Sequence, residues 1–351
     1  MTTMLRSRFP ALAPRGGFAA SCTAPSPRPA HAATAALAAR AALAATAALA
    51  ATLLAGALPA PVHAQAGASS PRSDAAPAAS ALEVRLRAGG AFMGNFFQAP
   101  DGAPRQDVGA GTGAVQLALP FGARSQVFGD VGGTVYTEFD PSWSAGGGVL
   151  WIARPHEARV LVGYRGRTPR IEVGDTLGFA DILHLGGSYR VRPVRAFQLE
   201  ALANYYDESY SRSPDKANTF LDVGGALRYR GLDYIFSPEV GASFGSRDVR
   251  ADTEDFGQRT LWVTVRSIPT PALYLSVRYR HRLRDYATAD PAASNFGRED
   301  TRHQVTLTAD LAVRENLNWT AYYSFEHANS TNASRNFDTH YLWTGLTYRI
   351  R

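Results

Sequence analysis

The sequence predicts an all-β fold, a closed antiparallel transmembrane β-barrel of about 14 strands behind an N-terminal leader. From about Leu82 onward, apolar and polar residues alternate in short segments, as a strand with one wall in lipid and the other in water requires. The links between segments are alternately tight and long. A soluble sandwich also alternates, but it has no reason to gather every long loop at one end. An outer-membrane barrel does, with short turns at the periplasmic rim and long loops outside. Beyond the leader no stretch is long and apolar enough for a transmembrane helix, as expected when half the side chains of each strand face water.

Residues 1–64 contain Arg6, Arg8, Arg15, Arg28 and Arg40 and no acid. After Arg40 an uncharged, alanine-rich stretch runs to Ala60, and Val62-His63-Ala64 forms a small-x-small cleavage site. This reads as a secretory signal peptide with a long basic front, and a true start at Met4 or later would account for the length. The alternative is an uncleaved inner-membrane helix, since about 20 apolar residues span a bilayer. Residues 65–80, rich in Ala, Ser and Pro, read as a flexible periplasmic tail, and 81–351 as one outer-membrane barrel with no internal linker.

Within the barrel, Leu221, Val223, Gly225, Leu227 and Tyr229 alternate with Asp222, Gly224, Ala226, Arg228 and Arg230. The runs 197–205, 273–280, 305–311 and 317–325 repeat the pattern. Short turns are expected at 120–124, 155–158, 192–195, 231–233, 269–272 and 314–316. Long loops are expected at 98–107, 166–176, 207–217, 245–258, 285–300 and 328–336, with the link near Asp140 short where a long one belongs. An even strand count returns both ends to the periplasm. Pro238 cannot donate to a ladder, so the ninth strand is expected to bulge or start late there. The run Gly109-Ala110-Gly111-Thr112-Gly113 is followed by no helix pattern and reads as strand rather than phosphate loop. Asp248, Asp252, Glu254 and Asp255 match no calcium-loop spacing and read as a solvated acidic tip.

The net charge of +6 belongs almost wholly to the leader, and the rest of the chain holds 31 basic and 30 acidic residues. The charge therefore gives no reason to expect a nucleic-acid partner. Cys22, the only cysteine, lies in the leader, so neither disulfide nor thiol chemistry is expected in the barrel. Neither a metal nor a cofactor is expected.

Extending the alternation places Arg85, Arg87, Arg165, Arg190, Arg228, Arg266, Arg278, Arg280 and Arg302 on the lumen wall. Glu83, Asp130, Glu200, Asp222, Glu239, Asp310 and Glu326 fall on the same wall. Charge on a pore wall tunes ion selectivity, and the guanidinium fork suits carboxylate, phosphate and sulfate. Arg266, Arg278, Arg280 and Arg302 come from three consecutive strands and read as one basic stripe; the competing reading is a self-neutralising network that stiffens the lumen. Tyr206, Tyr274, Tyr322 and Tyr341 share that wall and offer faces on which sugar rings stack, while Trp143, Tyr205 and Trp319 suit the interfacial girdle. His303, Asp338 and His340 fall on the lipid-facing parity, near the outer rim with His327. No Ser, His and acid set with a nucleophile shares one wall on neighbouring strands, so catalytic residues and an enzyme are not expected.

Leu342-x-Thr344-x-Leu346-x-Tyr348-x-Ile350 resembles the terminal strand of Gram-negative outer-membrane barrels, with Ile350 where a phenylalanine is usual and Arg351 after it. That resemblance implies reading by the barrel-assembly machinery. The Arg- and Tyr-rich strands and the ending Gly345-Leu346-Thr347-Tyr348-Arg349 resemble β-barrel porin-like families linked to exopolysaccharide export. They resemble less closely the barrel half of surface lipoprotein assembly proteins, whose helical-repeat domain has no counterpart here. The chain is thus expected to sit among outer-membrane lipid and lipopolysaccharide as a porin-like channel for small polar or anionic solutes. Export of an acidic polysaccharide is the sharper variant, and a plugged structural or adhesive barrel whose loops bind a surface partner is the alternative.

Cleavage after Ala64 would make Gln65 the first residue of the exported protein. Amino-terminal sequencing of protein purified from outer membranes checks this, and a mature form that retains Arg40 would establish the anchored alternative.

Overall fold

The computed structural model describes residues 82–350 apart from 97, 99–106, 172–176, 231–234, 251–253 and 289. The leader and the tail lie outside the described residues. The fourteen strands are β1 (Glu83–Gly94), β2 (Val108–Phe121), β3 (Ser125–Tyr136), β4 (Ser142–Ala153), β5 (His156–Ile171), β6 (Leu177–Val194) and β7 (Phe197–Tyr210), then β8 (Asn218–Tyr229), β9 (Phe236–Val249), β10 (Phe256–Thr270), β11 (Leu273–Tyr286), β12 (Glu299–Arg314), β13 (Leu317–Ser330) and β14 (Phe337–Ile350). Each pairs antiparallel with its sequence neighbours, and β1 closes on β14 from Val84↔Ile350 to Gly94↔His340. The first and last residues of the sheet therefore meet at one rim, the rim that also carries the short turns.

Closure removes both sheet edges, so each strand finds partners on its two sides without help from solvent. The two walls then separate by parity. Leu117, Val131, Phe244, Leu261, Val277 and Leu307 project outward and are exposed on the barrel surface, whereas Thr260, Thr264, Ser243, Ser324 and Glu239 point inward and are buried. Trp143 and Trp319 lie on the outer surface, as the sequence indicates.

The strands run farther into the long links than alternation alone predicts. β5 continues to Ile171, β7 to Tyr210 and β9 to Val249, so much of the loops expected at 166–176, 207–217 and 245–258 is ladder. The hydrogen-bonded ribbon continues above the apolar band, where polar outward residues such as Asp207 and Ser209 no longer alternate with apolar ones. The acidic tip is partly structural: the Asp255 carboxylate accepts from Val249 N at 2.6 Å, and Glu254 pairs with Lys216, the only lysine in the chain, tying the β9–β10 loop to the β7–β8 loop. Gly109 to Gly113 lie in β2 as expected.

Pro238 does not bulge β9; its pairing with β10 stays in register through Pro238↔Val265. Pairing with β8, by contrast, begins only at Glu239↔Arg228, and the Ser237 hydroxyl donates to the Tyr229 carbonyl at 2.9 Å beside it. The late start expected from a residue without an N–H occurs on that one side.

Several inward or rim aromatics lie flat across glycines of a neighbouring strand or of their own. Trp262 covers Gly241, its register partner, Trp343 covers Gly89 and Gly345, Phe128 covers Gly148 and Phe220 covers Gly245. A Cβ at Gly241 would overlap the Trp262 ring and approach the Gly225 carbonyl oxygen at 2.8 Å. The bare backbone is what lets the ring lie down, and the ring supplies the packing that the glycine lacks. Gly241→Val is expected to lift Trp262 off the wall and destabilise the barrel by about 1–3 kcal/mol, the usual cost of overpacking. The urea midpoint of the gel-mobility shift between folded and unfolded barrel measures this.

Candidate functional site: the charged wall of the lumen

The sixteen charged residues assigned to the lumen wall from the sequence all lie on the inward parity of their strands, and β11 orders the wall into layers. Arg278, Arg280 and Arg282 stand two residues apart on that strand, about 7 Å from one to the next.

At the level of Arg278, Glu239 collects three arginines. Arg228 lies at 2.7 Å, Arg266 at 2.9 Å and Arg278 at 3.7 Å, and Trp262 Nε1 donates to the same carboxylate at 3.3 Å. Toward the same rim, Arg190 bridges Glu157 at 2.7 Å and Glu200 at 2.9 Å, and Glu83 holds Arg85 at 2.5 Å and Arg349 at 3.0 Å across the β1–β14 seam. At the level of Arg282 a second belt forms. Glu326 takes Arg282 at 2.5 Å and Arg302 at 3.2 Å, and Asp300 takes Arg298 at 2.6 Å and Arg302 at 3.7 Å. Arg298 comes from the β11–β12 loop, stacks 4.3 Å from the Tyr286 ring and donates to Asn295 at 2.7 Å, so this loop folds onto the outer mouth of the lumen.

Between the belts the pairing stops. Arg280 donates to Gln304 at 3.3 Å and meets no carboxylate within salt-bridge distance among the described residues. Arg165, nearly halfway around the barrel on β5, is exposed to the lumen and has neither a hydrogen bond nor an ion pair among the described residues. Arg165 and Arg280 both lie within electrostatic reach of Tyr206, which stacks on His184 with ring centroids 4.4 Å apart and planes within 5°. Farther around, Arg87 lies 4.0 Å over the Trp343 ring, and Tyr322 packs edge-on to Tyr341 at 5.6 Å.

The basic stripe expected from Arg266, Arg278, Arg280 and Arg302 is therefore divided. Arg266 and Arg302 are neutralised, Arg278 is shared with Glu239 and Thr264, and Arg280 alone of the four stays without a carboxylate. Asp310, on the same wall, accepts from Thr320 at 2.6 Å and pairs with none of the four. Asp222 lies near Arg280 and Ser243 without closing an ion pair. Arg282 and Arg284 were not among the residues named from the sequence, although Arg278-x-Arg280-x-Arg282-x-Arg284 keeps the same period of two. Arg284 donates to Gln258 at 2.8 Å and lies 4.6 Å over the Phe256 ring.

A sealed sheet with an apolar outer wall and a charged, tyrosine-lined inner one has a single solvent arrangement, with lipid outside and water within. The chain is a transmembrane β-barrel of the bacterial outer membrane. No family model matches this outer-membrane barrel, and no curated protein matches it either. Among solved structures it is similar to OmpT, an outer membrane protein of Vibrio cholerae, at 9% identity and a TM-score of 0.44, over 81% of this chain and 100% of that one. It is also similar to a bacterial polysaccharide outer membrane secretin at 13% identity and a TM-score of 0.44, over 76% of this chain and 98% of that one. An anion-selective porin from Comamonas acidovorans is similar at 8% identity and a TM-score of 0.38, over 78% and 99% of the two chains. Likenesses this distant assign neither solute nor partner to the outer-membrane barrel.

Removing the Glu239 carboxylate leaves three guanidinium groups facing one another. Stranding one side of a buried ion pair costs about 3–5 kcal/mol, and because Arg228 and Arg266 keep some contact with lumen water, Glu239→Gln is expected to cost no more than about 3 kcal/mol. The same substitution adds unbalanced positive charge to the wall. A lower urea midpoint, together with a planar-bilayer reversal potential shifted toward anions, is the expected pair of results.

Proposed function

We propose that this protein is a passive channel selective for small polar and anionic solutes. The observation that carries the reading is the layer around Tyr206: Arg280 and Arg165 act on it from distant strands and close no ion pair among the described residues, with Asp222 the nearby carboxylate, between two belts of neutralised charge. A positive constriction in a wet lumen lowers the barrier to anions and raises it for cations. The neutral belts on either side hold the wall in shape without binding the solute strongly.

The sharper form of the proposal is an acidic saccharide. Guanidinium groups recognise carboxylates through paired N–H donors, and aromatic faces lie near them, Tyr206 by Arg165 and Arg280, Tyr322 by Arg280 and Tyr341 by Arg87. A plugged barrel that serves only as a scaffold is the competing reading, and the dense ion pairing of the two belts favours it. Single-channel conductance separates the two. We also propose that β14 is the segment through which the assembly machinery receives the chain.

Arg165→Glu combined with Arg280→Glu is expected to shift the reversal potential under a salt gradient toward cations. Two charges about 4 Å apart in water interact by about 1 kcal/mol, so the permeability ratio should move on the order of fivefold, less at high salt. Arg302→Gln, which alters a neutralised site, should move it far less. An unchanged reversal potential in a folded double variant would defeat the anion-channel reading.

A further inference from the structure

Of the six histidines that follow the leader, four point outward on one patch of the lipid-facing wall: His281, His303, His327 and His340. The cross-strand register His281↔His303, His303↔His327 and His327↔Asp338 sets them side by side on β11 to β14. Ring centroids are 5.0 Å apart for His281 and His303 and 6.5 Å for His303 and His327.

Their height is informative. A strand tilted by about 40° climbs roughly 2.5 Å per residue, and the apolar band of such a barrel is about 25 Å tall. His281 stands eight residues above the inner end of β11 and His340 ten above that of β14, which places the patch about 20–25 Å up, at the outer edge of the band. Below it the outward residues are apolar, among them Val277, Leu307 and Leu342. This is the level of the headgroups of the outer leaflet.

Three of the four rings are held through Nδ1. Nδ1 of His303 is bonded to the Tyr279 hydroxyl at 2.7 Å, Nδ1 of His340 to the Tyr323 hydroxyl at 2.9 Å, and Nδ1 of His327 donates to the Asp338 carboxylate at 2.6 Å. Each of those rings keeps Nε2 without a partner among the described residues, and His281 keeps both nitrogens. The charged groups facing the patch are Asp338 on β14 and, toward the rim, the Arg259–Asp285 pair at 3.4 Å and Glu299. Among the described residues near the rings, Asp338 alone carries uncompensated charge, so protonation turns the patch positive. A positive patch at this height is complementary to an anion.

We propose that this histidine row is a binding site for the phosphate groups of the outer-leaflet glycolipid, and that it tightens as the rings take up protons. Imidazole becomes a cation only when it takes up a proton, so acidification is the change that makes the row attractive to a phosphate. The site lies on the opposite face of the wall from the lumen, so it stands or falls separately from the channel reading.

The test uses delipidated, folded barrel in detergent, titrated with diphosphoryl lipid A at pH 7.5 and 5.5 and followed by native mass spectrometry. Bound lipid A should rise several-fold at the lower pH. That rise should vanish in the triple variant His281→Gln, His303→Gln, His327→Gln and for wild-type protein given lipid A stripped of its phosphates. Binding without pH dependence, or equal binding of the dephosphorylated lipid, overturns the proposal. Should the triple variant fail to fold, His303→Asn alone with the two lipids decides the matter, since loss of about half the pH effect is expected and an unchanged effect overturns it.

Discussion

Within hydrocarbon no water can satisfy a backbone amide, and this single constraint forces the sheet to close. The β1–β14 seam is therefore the contact on which the rest depends. Once it forms, every residue of every strand is assigned to one of two solvents by parity alone, and a shift of one residue would put Arg278, Arg280 and Arg282 into lipid. Arginine at the middle of the lipid face costs about 2–4 kcal/mol, so the run on β11 itself helps to fix the register.

Closure also crowds the inner wall. Fourteen strands bring large side chains to one lumen, and the chain makes room by alternating rings with bare backbone. The guanidinium groups are accommodated by sharing: Glu239 serves three and Glu326 two. The basic side chains of the chain are arginine with the single exception of Lys216, which sits in a loop and not on the wall. The planar fork suits a crowded wall because it donates to two acceptors at once while its faces lie on aromatic rings, as Arg87 does on Trp343.

The fold was legible in the sequence because one local rule, period two, is also the global rule of the barrel. Leu221 to Arg230 or Leu273 to Arg280 could be read without knowing their neighbours. Strand ends were harder to read, since beyond the apolar band Asp207 or Ser209 continues the ladder with no hydrophobic signature. The inward placement of the site residues followed from parity in the same way. What parity leaves open is which of them meet. That Arg266 finds Glu239 while Arg280 finds only Gln304 depends on cross-strand register and on stagger around the barrel, and neither is written in any one segment.

The spacing of the layers on β11 sets the range over which the charge of Arg280 is felt. Arg280 is separated from the neutral belts above and below by about 7 Å, close to the screening length of about 8 Å at physiological salt. Its field therefore fades near the mouths, and a solute diffusing outside the barrel meets almost no attraction from it. If the barrel conducts as proposed, capture is governed by the width of the mouth and the position of the Arg298 loop, while discrimination by charge happens only after the solute has entered. Bulk salt should consequently alter which ions cross far more than how often solutes arrive.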